Sequence, residues 1–548
     1  MPFRVPARRW DKRGGMKGLH IVVGSGPAGV ACARALLDAG ADVLMLDVGQ
    51  KLEEAEASFV RGLAALPPSQ WPAEGIPRMR RNLEAKAHGL PIKLQFGSDF
   101  CYRPPAAEAP VAMNGIGLSP SYALGGLSNV WGAAMLPYLE TDTQDWPIRQ
   151  ADLAPHYRAA VQLTGLTGEE DALAGRFPLH AENIASLRLS VGMTRLLRNL
   201  RDGGGRLKKA GVVAGRSRLA VRAKPDPAAP GCEDCGQCMS GCPYGHIFCS
   251  ASWVDAWTKT HRNFRYQSRA LVERVEERAD GVTVFGRDAD TGDLRTWECA
   301  RVHLAAGAIA TTKILLHSLR AYDRPVTIKD SQYFLAPWVF PEGSRKGQGD
   351  YNTLAQAFLE IFDPATSPYA VHTQIYDANF LIEEALSGMF FGLAPRSVVR
   401  ALASRVIVMQ GFLHSQHSSS LRLVVRAPQD DQLPRAEVSA VVNPEARQVF
   451  RRVLRKLLGI APVLRAIPGL PAAHLAKPGR SFHCGGSFPM RHAPGPWETD
   501  LLGRLPAFRR VHAVDSSVLP SIPGTTITLG VMANAHRIGA LAAGEAAA

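Results

Sequence analysis

Five of the nine cysteines fall between Cys232 and Cys249, in the segment GCEDCGQCMSGCPYGHIFCS. Cys232, Cys235, Cys238 and Cys242, followed by Pro243, have the two-, two- and three-residue gaps that let successive thiolates wrap one face of an iron–sulfur cube. Gly236 and Gly241 free the backbone to turn amides toward the sulfurs. The chain holds no second run of this kind. A single [4Fe-4S] cluster would therefore use Cys232, Cys235 and Cys238, completed by Cys242 or Cys249, with Cys242 favoured; a three-iron cluster fits the same loop. Structural zinc and a metal-free loop are the alternatives. A second chemistry is written near the N-terminus, where Gly24, Gly26 and Gly29 form a GxGxxG set suited to holding a pyrophosphate.

The elements around that set support a dinucleotide site. Ile21 to Val23 reads as a buried strand; Gly24 allows the tight turn, Gly26 a close backbone approach to phosphate and Gly29 the packing of helix on strand. Helical spacing then runs through Val30, Ala33 and Leu37 to a stop at Gly40, and Val43 to Leu46 makes a second strand ending at Asp47. That acid is placed to hold a ribose. The segment ALGGLSNVWGAAMLPY, Ala123 to Tyr138, reads as a tight glycine loop able to run against a flat cofactor, and a structural loop with a packing tryptophan is its plain alternative. ALVERVEE and DGVTVFG alternate as the strands of a hairpin around Asp280 and Gly281. Asn443, Pro444 and Glu445 open a helix whose stripe Phe450, Val453, Leu454, Leu457 and Leu458 ends before Gly459, with Arg447, Arg451, Arg452, Arg455 and Lys456 around the rest.

The chain has 548 residues and a formal charge of +14, enough length for a large core and a bias toward anionic partners. No helix-turn-helix, zinc-finger or aromatic RNA-binding signature accompanies the charge, which argues against nucleic acid. Clustered cysteines suit a reducing, cytoplasmic compartment better than a disulfide framework. Arg8 and Arg9 precede no apolar signal region, Met16 is a second candidate start, and no run of about eighteen apolar residues exists to span a bilayer. The basic helix after Asn443 and the stretch Leu386 to Leu413, with Met389, Phe390, Phe391 and Leu393 near Arg396, Arg400 and Arg405, raise the alternative of peripheral membrane contact or of an apolar pocket wall.

The glycine turn, the Ala123 to Tyr138 loop and four later segments together resemble the glucose-methanol-choline oxidoreductase family: DWPIRQADLAPHY from Asp145, LAAGAIATTKILLHSL from Leu304, HCGGSFPM from His483 and VHAVDSSVLP from Val511. They occur in the family's order across most of the chain, weakest between about 330 and 480. The resemblance implies an α/β fold, a Rossmann-like FAD-binding domain interleaved with an α+β substrate-binding domain built on an antiparallel sheet. The FAD domain would comprise 16–140, 225–330 with the cysteine segment 231–250, and 480–548; 141–224 would be a substrate-binding or connecting part, and 331–479 would bind substrate. It implies FAD held by Gly24, Gly26, Gly29, Asp47, Gly125, Gly126, Ser128, Trp131, Val272 beside the adenine, and Asp515. Val130 stands where some relatives carry a flavin-linked histidine, so FAD is expected to be non-covalent.

His483, Gly486, Ser487 and Met490 match the motif carrying the family's active-site base, and Thr526 stands where a second histidine or asparagine is usual. Threonine can hydrogen-bond a substrate oxygen but is no base, so His483 would move the proton alone, with His536 as fallback. The implied function is dehydrogenation of an alcohol, sugar-like, by hydride transfer to flavin. The cysteine run resembles that of bacterial ferredoxins, and some flavin sugar dehydrogenases similar to the family relay electrons through such a cluster, here to an external acceptor, a protein or a quinone. The alternatives are an oxygen-using alcohol oxidase, a ferredoxin-driven reductase and a non-catalytic electron-transfer protein.

Overall fold

The structure, a computed structural model, describes residues 18–547 except 82–91, 109–110, 183, 225–229, 342–350, 391 and 429–432. Arg8, Arg9, Met16 and Phe391 lie outside the described residues. The glycine turn is built as its sequence implies: strand β1 (Leu19–Val23), helix α1 (Pro27–Asp38) and strand β2 (Asp42–Leu46), with every β1 residue buried. β1 and β2 pair in parallel inside a five-stranded sheet of order Val511–Ala513, Arg301–Leu304, β1, β2 and Phe264–Gln267. Parallel strands need crossovers that bring distant segments together, which is how residues near 20, 300 and 510 come to share one sheet edge. The hairpin around Asp280 is present as Ala270–Glu277 against Val282–Asp288, joined by Leu294–Cys299.

The other half of the molecule is mainly antiparallel. A seven-stranded sheet runs in the order Ile467–Pro468, Tyr333–Val339, Val406–Phe412, Val371–Tyr376, Ala357–Ile361 and Val212–Arg216, with His474–Leu475 also pairing Tyr333–Val339. It takes in strand Val212–Arg216, from the segment the sequence assigns to a substrate-binding or connecting part. Helix Glu445–Gly459 buries Val449, Phe450, Val453 and Leu457 against this sheet, while Lys456 reaches Asp363 at 2.7 Å. A further five-stranded sheet begins at Cys484–Gly485 and includes Val326–Asp330. The fold is thus α/β, a parallel dinucleotide-type sheet interleaved with an antiparallel-sheet half. No helix among the described residues is long and apolar enough to cross a membrane.

Candidate active site

One cavity of about 480 Å³ lies where the two halves meet. Its first end is made by the glycine turn. Gly24 has φ +102°, and a Cβ there would come within 2.5 Å of the Ala305 carbonyl oxygen; a Cβ on Gly29 would come within 2.0 Å of the Gly24 carbonyl oxygen. Gly26 faces open space and is the helix N-cap, with its backbone toward the cavity. Such a cradle of backbone amides at a helix start suits a pyrophosphate. Asp47 lines the cavity and accepts a hydrogen bond from Ser25, and burial pushes its pKa up to about 7.

The Ala123 to Tyr138 loop closes over this end. Gly125 (φ +87°) leads a short 3-10 turn, Gly126–Asn129, and a Cβ on Gly126 would sit 3.4 Å from Gly26. Gly126, Ser128 and Trp131 line the cavity, and the Trp131 indole donates to the Phe248 carbonyl at 2.9 Å. Ser25 and Ser250, which the sequence reading missed, tie the loop down: the Gly125 amide donates to Ser25 Oγ at 2.8 Å, and the Ser250 hydroxyl donates to the Ser25 carbonyl at 2.9 Å. Val272 and Asp515 line the same cavity. Asp515 is buried, accepts from the amides of Gly307 at 2.8 Å and Ser517 at 2.9 Å, and has its pKa raised by burial. It ties the helix Ala308–Ser318 to the end of strand Val511–Ala513. These residues fit a dinucleotide cofactor: the glycine cradle would take its pyrophosphate, and Asp47 its ribose.

The second end is the face of the antiparallel sheet. Period-two alternation turns Gln374 and Tyr376, Val408, Gln410 and Phe412, and Tyr333 toward the cavity, while Ile375, Ile407, Met409 and Phe334 enter the core behind. Gln374 stands directly opposite Gln410, and the Tyr376 hydroxyl donates to Gln374 Oε1 at 2.7 Å. His483 lines the cavity here, its ring stacked on Phe412 with centroids 4.7 Å apart. Its Nδ1 is buried with no hydrogen-bond partner among the described residues, and burial pulls its pKa down to about 3. It is therefore a neutral base at neutral pH. Thr526 also lines the cavity; its Oγ accepts from the Leu136 amide at 3.0 Å, leaving the hydroxyl proton for another acceptor. His536 is not among the lining residues, and its Nδ1 lies 2.9 Å from Nδ1 of His156, a packing contact.

Cys232, Cys235, Cys238 and Cys242 all line one small separate cavity. The Thr353 amide donates to Cys238 Sγ at 3.4 Å and the His246 amide to Cys242 Sγ at 3.3 Å, and Gly236 and Gly241 adopt positive φ of 70° and 116°. Cys249 stands apart from this cavity: its Sγ lies 3.6 Å from Ser128 Oγ and 3.4 Å from Asn129 Oδ1, against the glycine loop. Among the described residues no group of three or more His, Cys, Asp or Glu side chains is placed to hold a metal ion. The two cavities share a wall, since Met239 lines the large one and its neighbour Cys238 the small one.

The parallel sheet and the antiparallel sheets together make an α/β fold whose two halves line one cavity. The chain's fold is that of pyridoxine 4-oxidase from Mesorbium loti, with a TM-score of 0.60 at 15% identity, covering 95% of this chain and 98% of that one. The chain is also similar to 6'''-hydroxyparomomycin C oxidase of Streptomyces lividus, 24% identical over 538 residues, 94% of this chain and 89% of that protein. Paromamine 6'-oxidase of Streptomyces fradiae is 24% identical over an alignment of 576 positions, covering 98% of this chain and 94% of that protein. No family model matches.

Proposed function

We propose that the chain is an FAD-dependent oxidoreductase of the glucose-methanol-choline type that oxidises a CH–OH group of a sugar-like small molecule. The observation that carries this reading is a single cavity with a dinucleotide cradle at one end and a neutral, buried histidine among hydrogen-bonding amides and a phenol at the other. Bound FAD would supply the two-electron acceptor for hydride leaving the carbinol carbon. His483 takes the hydroxyl proton, which loads electrons onto that carbon, and its stack on Phe412 holds the ring plane. Thr526 donates to the substrate oxygen. Gln374, Gln410 and Tyr376 orient the remaining hydroxyls, as amides and a phenol can both donate and accept. Anaerobic addition of an alcohol substrate should bleach the flavin of the wild-type protein; a flavin that no alcohol of the sugar class bleaches would refute the reading.

Oxygen is the acceptor that the relatives' names support, making this an oxidase, and it replaces our expectation of a dehydrogenase as the first reading. The ring of four thiols favours a second reading of the same half-reaction, with electrons leaving singly through an iron–sulfur cluster to a protein or quinone acceptor. Peroxide formed in step with substrate supports the first; iron and sulfide in anaerobically purified protein, with turnover on one-electron acceptors, support the second. Met389, Phe390, Leu393, Val398 and Leu402 are exposed near Arg396 and Arg400, which supports contact with an anionic membrane surface. Flotation with anionic liposomes at low salt tests this, and protein left unbound refutes it.

A further inference from the structure

The chain turns twice on its way into His483. The Arg480 amide donates to the Lys477 carbonyl at 3.1 Å and the Phe482 amide to the Gly479 carbonyl at 3.0 Å. Phe482, directly before His483, has φ +60°, a left-handed conformation that a bulky side chain takes only where its surroundings impose it. The group that organises this segment is Asp330. It ends strand Val326–Asp330, stands opposite Cys484 in antiparallel register and is wholly buried. Its Oδ2 accepts from the Gly479 amide at 2.7 Å, and its Oδ1 accepts from the Ser481 hydroxyl at 2.9 Å. Ser481 Oγ in turn accepts from the His483 amide at 3.0 Å, and the Ser331 amide donates to the His483 carbonyl at 2.9 Å. His483 is thus pinned at both ends of its backbone, while its ring lies on Phe412.

A base takes a proton only within hydrogen-bond reach of it, and a misplacement of about 1 Å costs on the order of 10²-fold in rate. We propose that Asp330, acting through Ser481, is the positioning residue of the His483 base. A carboxyl group suits the task, because its two oxygens hold donors from Gly479 and Ser481 at once. An apolar residue in its place would leave the Gly479 amide buried and unpaired, and the turn would lose what holds Phe482 at positive φ. Ser481, Phe482 and His483 form the cavity wall, with Asp330 behind them. This role rests on the reading of His483 as the base given above. It gives Asp330 no part in moving the proton or in binding substrate.

The test is anaerobic flavin reduction in the FAD-loaded protein, followed at saturating concentration of the sugar-class alcohol that bleaches the wild type fastest, in light and in heavy water. D330A and S481A should reduce the flavin roughly 10–100-fold more slowly at unchanged FAD content. Their solvent isotope effect should exceed that of the wild type, since the proton step is the one that slows. D330N can still accept from Gly479 and donate to Ser481 Oγ, and S481T keeps the hydroxyl, so both should restore most of the lost rate. Where D330A does not fold, S481A against S481T carries the test. Wild-type rates in S481A, a loss that S481T shares in full, or slow reduction with the wild-type isotope effect overturns the inference and leaves the functional reading standing. Wild-type flavin that no sugar-class alcohol bleaches overturns that reading, and this inference with it.

Discussion

Lowering the pH should unlock the parallel sheet before the rest of the molecule, because three buried histidines are stacked across its centre. His20 on β1, His303 on Arg301–Leu304 and His512 on Val511–Ala513 lie with ring centroids 5.3 and 4.9 Å apart, and His20 Nδ1 is 3.0 Å from His303 Nε2. Burial, then the nearby positive charges, lower His20 to about 4 and His512 to about 3; His303 falls well below its ordinary value. A group whose folded pKa is depressed gives up no stability above its unfolded value of 6.5 and loses it as pH falls through the window below. Each histidine that must stay neutral contributes a slope of about 1.4 kcal/mol per pH unit. The gap from 6.5 to about 4 at His20 is then worth about 3 kcal/mol at pH 4. Against a total of roughly 5–15 kcal/mol, that is decisive for a domain. These strands feed Gly24, Ala305 and Asp515, so flavin release, read as a rise in free-flavin fluorescence, should accompany denaturant midpoints that fall steadily from pH 6.5 to 4.5. H512N keeps an amide donor for the Leu502 carbonyl, 2.9 Å from Nδ1, and should flatten the slope by about one proton. Equal slopes in wild type and H512N would refute the reasoning.

Four other outcomes are expected. H483A should slow anaerobic flavin reduction by roughly 10²–10⁴-fold at unchanged FAD content, as loss of a general base does; an unchanged rate removes it from the reaction. Because burial pulls His483 down to about 3, the reduction rate should show no loss of this base between pH 5 and 8, and an ionisation near 6.5 that H483A abolishes would contradict the burial argument. G29A cannot place a Cβ 2.0 Å from the Gly24 carbonyl oxygen without moving the turn, and should purify largely free of FAD; full flavin content would show that the turn yields. If the thiol-lined cavity holds a cluster, C238S and C242S should lower iron and sulfide content whereas C249S leaves both unchanged, and equal loss in all three would put Cys249 among the ligands.

The parts of the site that could be read in the sequence are those whose requirements are local. Gly24 and Gly29 are needed because a Cβ at either would strike backbone a few residues away or at the adjoining strand end, and the spacing of the turn expresses that need directly. The cysteine spacing is local in the same sense, and the four thiols up to Cys242 do ring one cavity. Spacing is silent about direction, however, and Cys249 is carried back toward Ser128 by the start of helix Ala251–Thr260. Ser25, Gln374 and Gln410 were not legible because each acquires its meaning from a partner far along the chain. Gln374 meets Gln410 only through the register of Val371–Tyr376 on Val406–Phe412. A signal was present in the alternation Gln374, Tyr376 and Val408, Gln410, Phe412 opposite Ile375, Ile407 and Met409, since polar residues on a strand buried on both faces must point at something.

That same dependence on long-range assembly bears on how the flavin would be reoxidised. The glycine loop is held from beneath by Ser25 and from the side by Ser250, the last residue of the cysteine segment. A change in the thiol-lined cavity is therefore transmitted to the loop by a few hydrogen bonds. If the thiols hold a cluster, its loss should disturb the flavin site even in a protein that passes its electrons to oxygen. Cluster loss and flavin loss moving together on chelation, with peroxide yield per flavin unchanged, would identify the thiol loop as a brace for an oxidase. Peroxide yield rising as the cluster is lost would identify it as the route by which electrons normally leave.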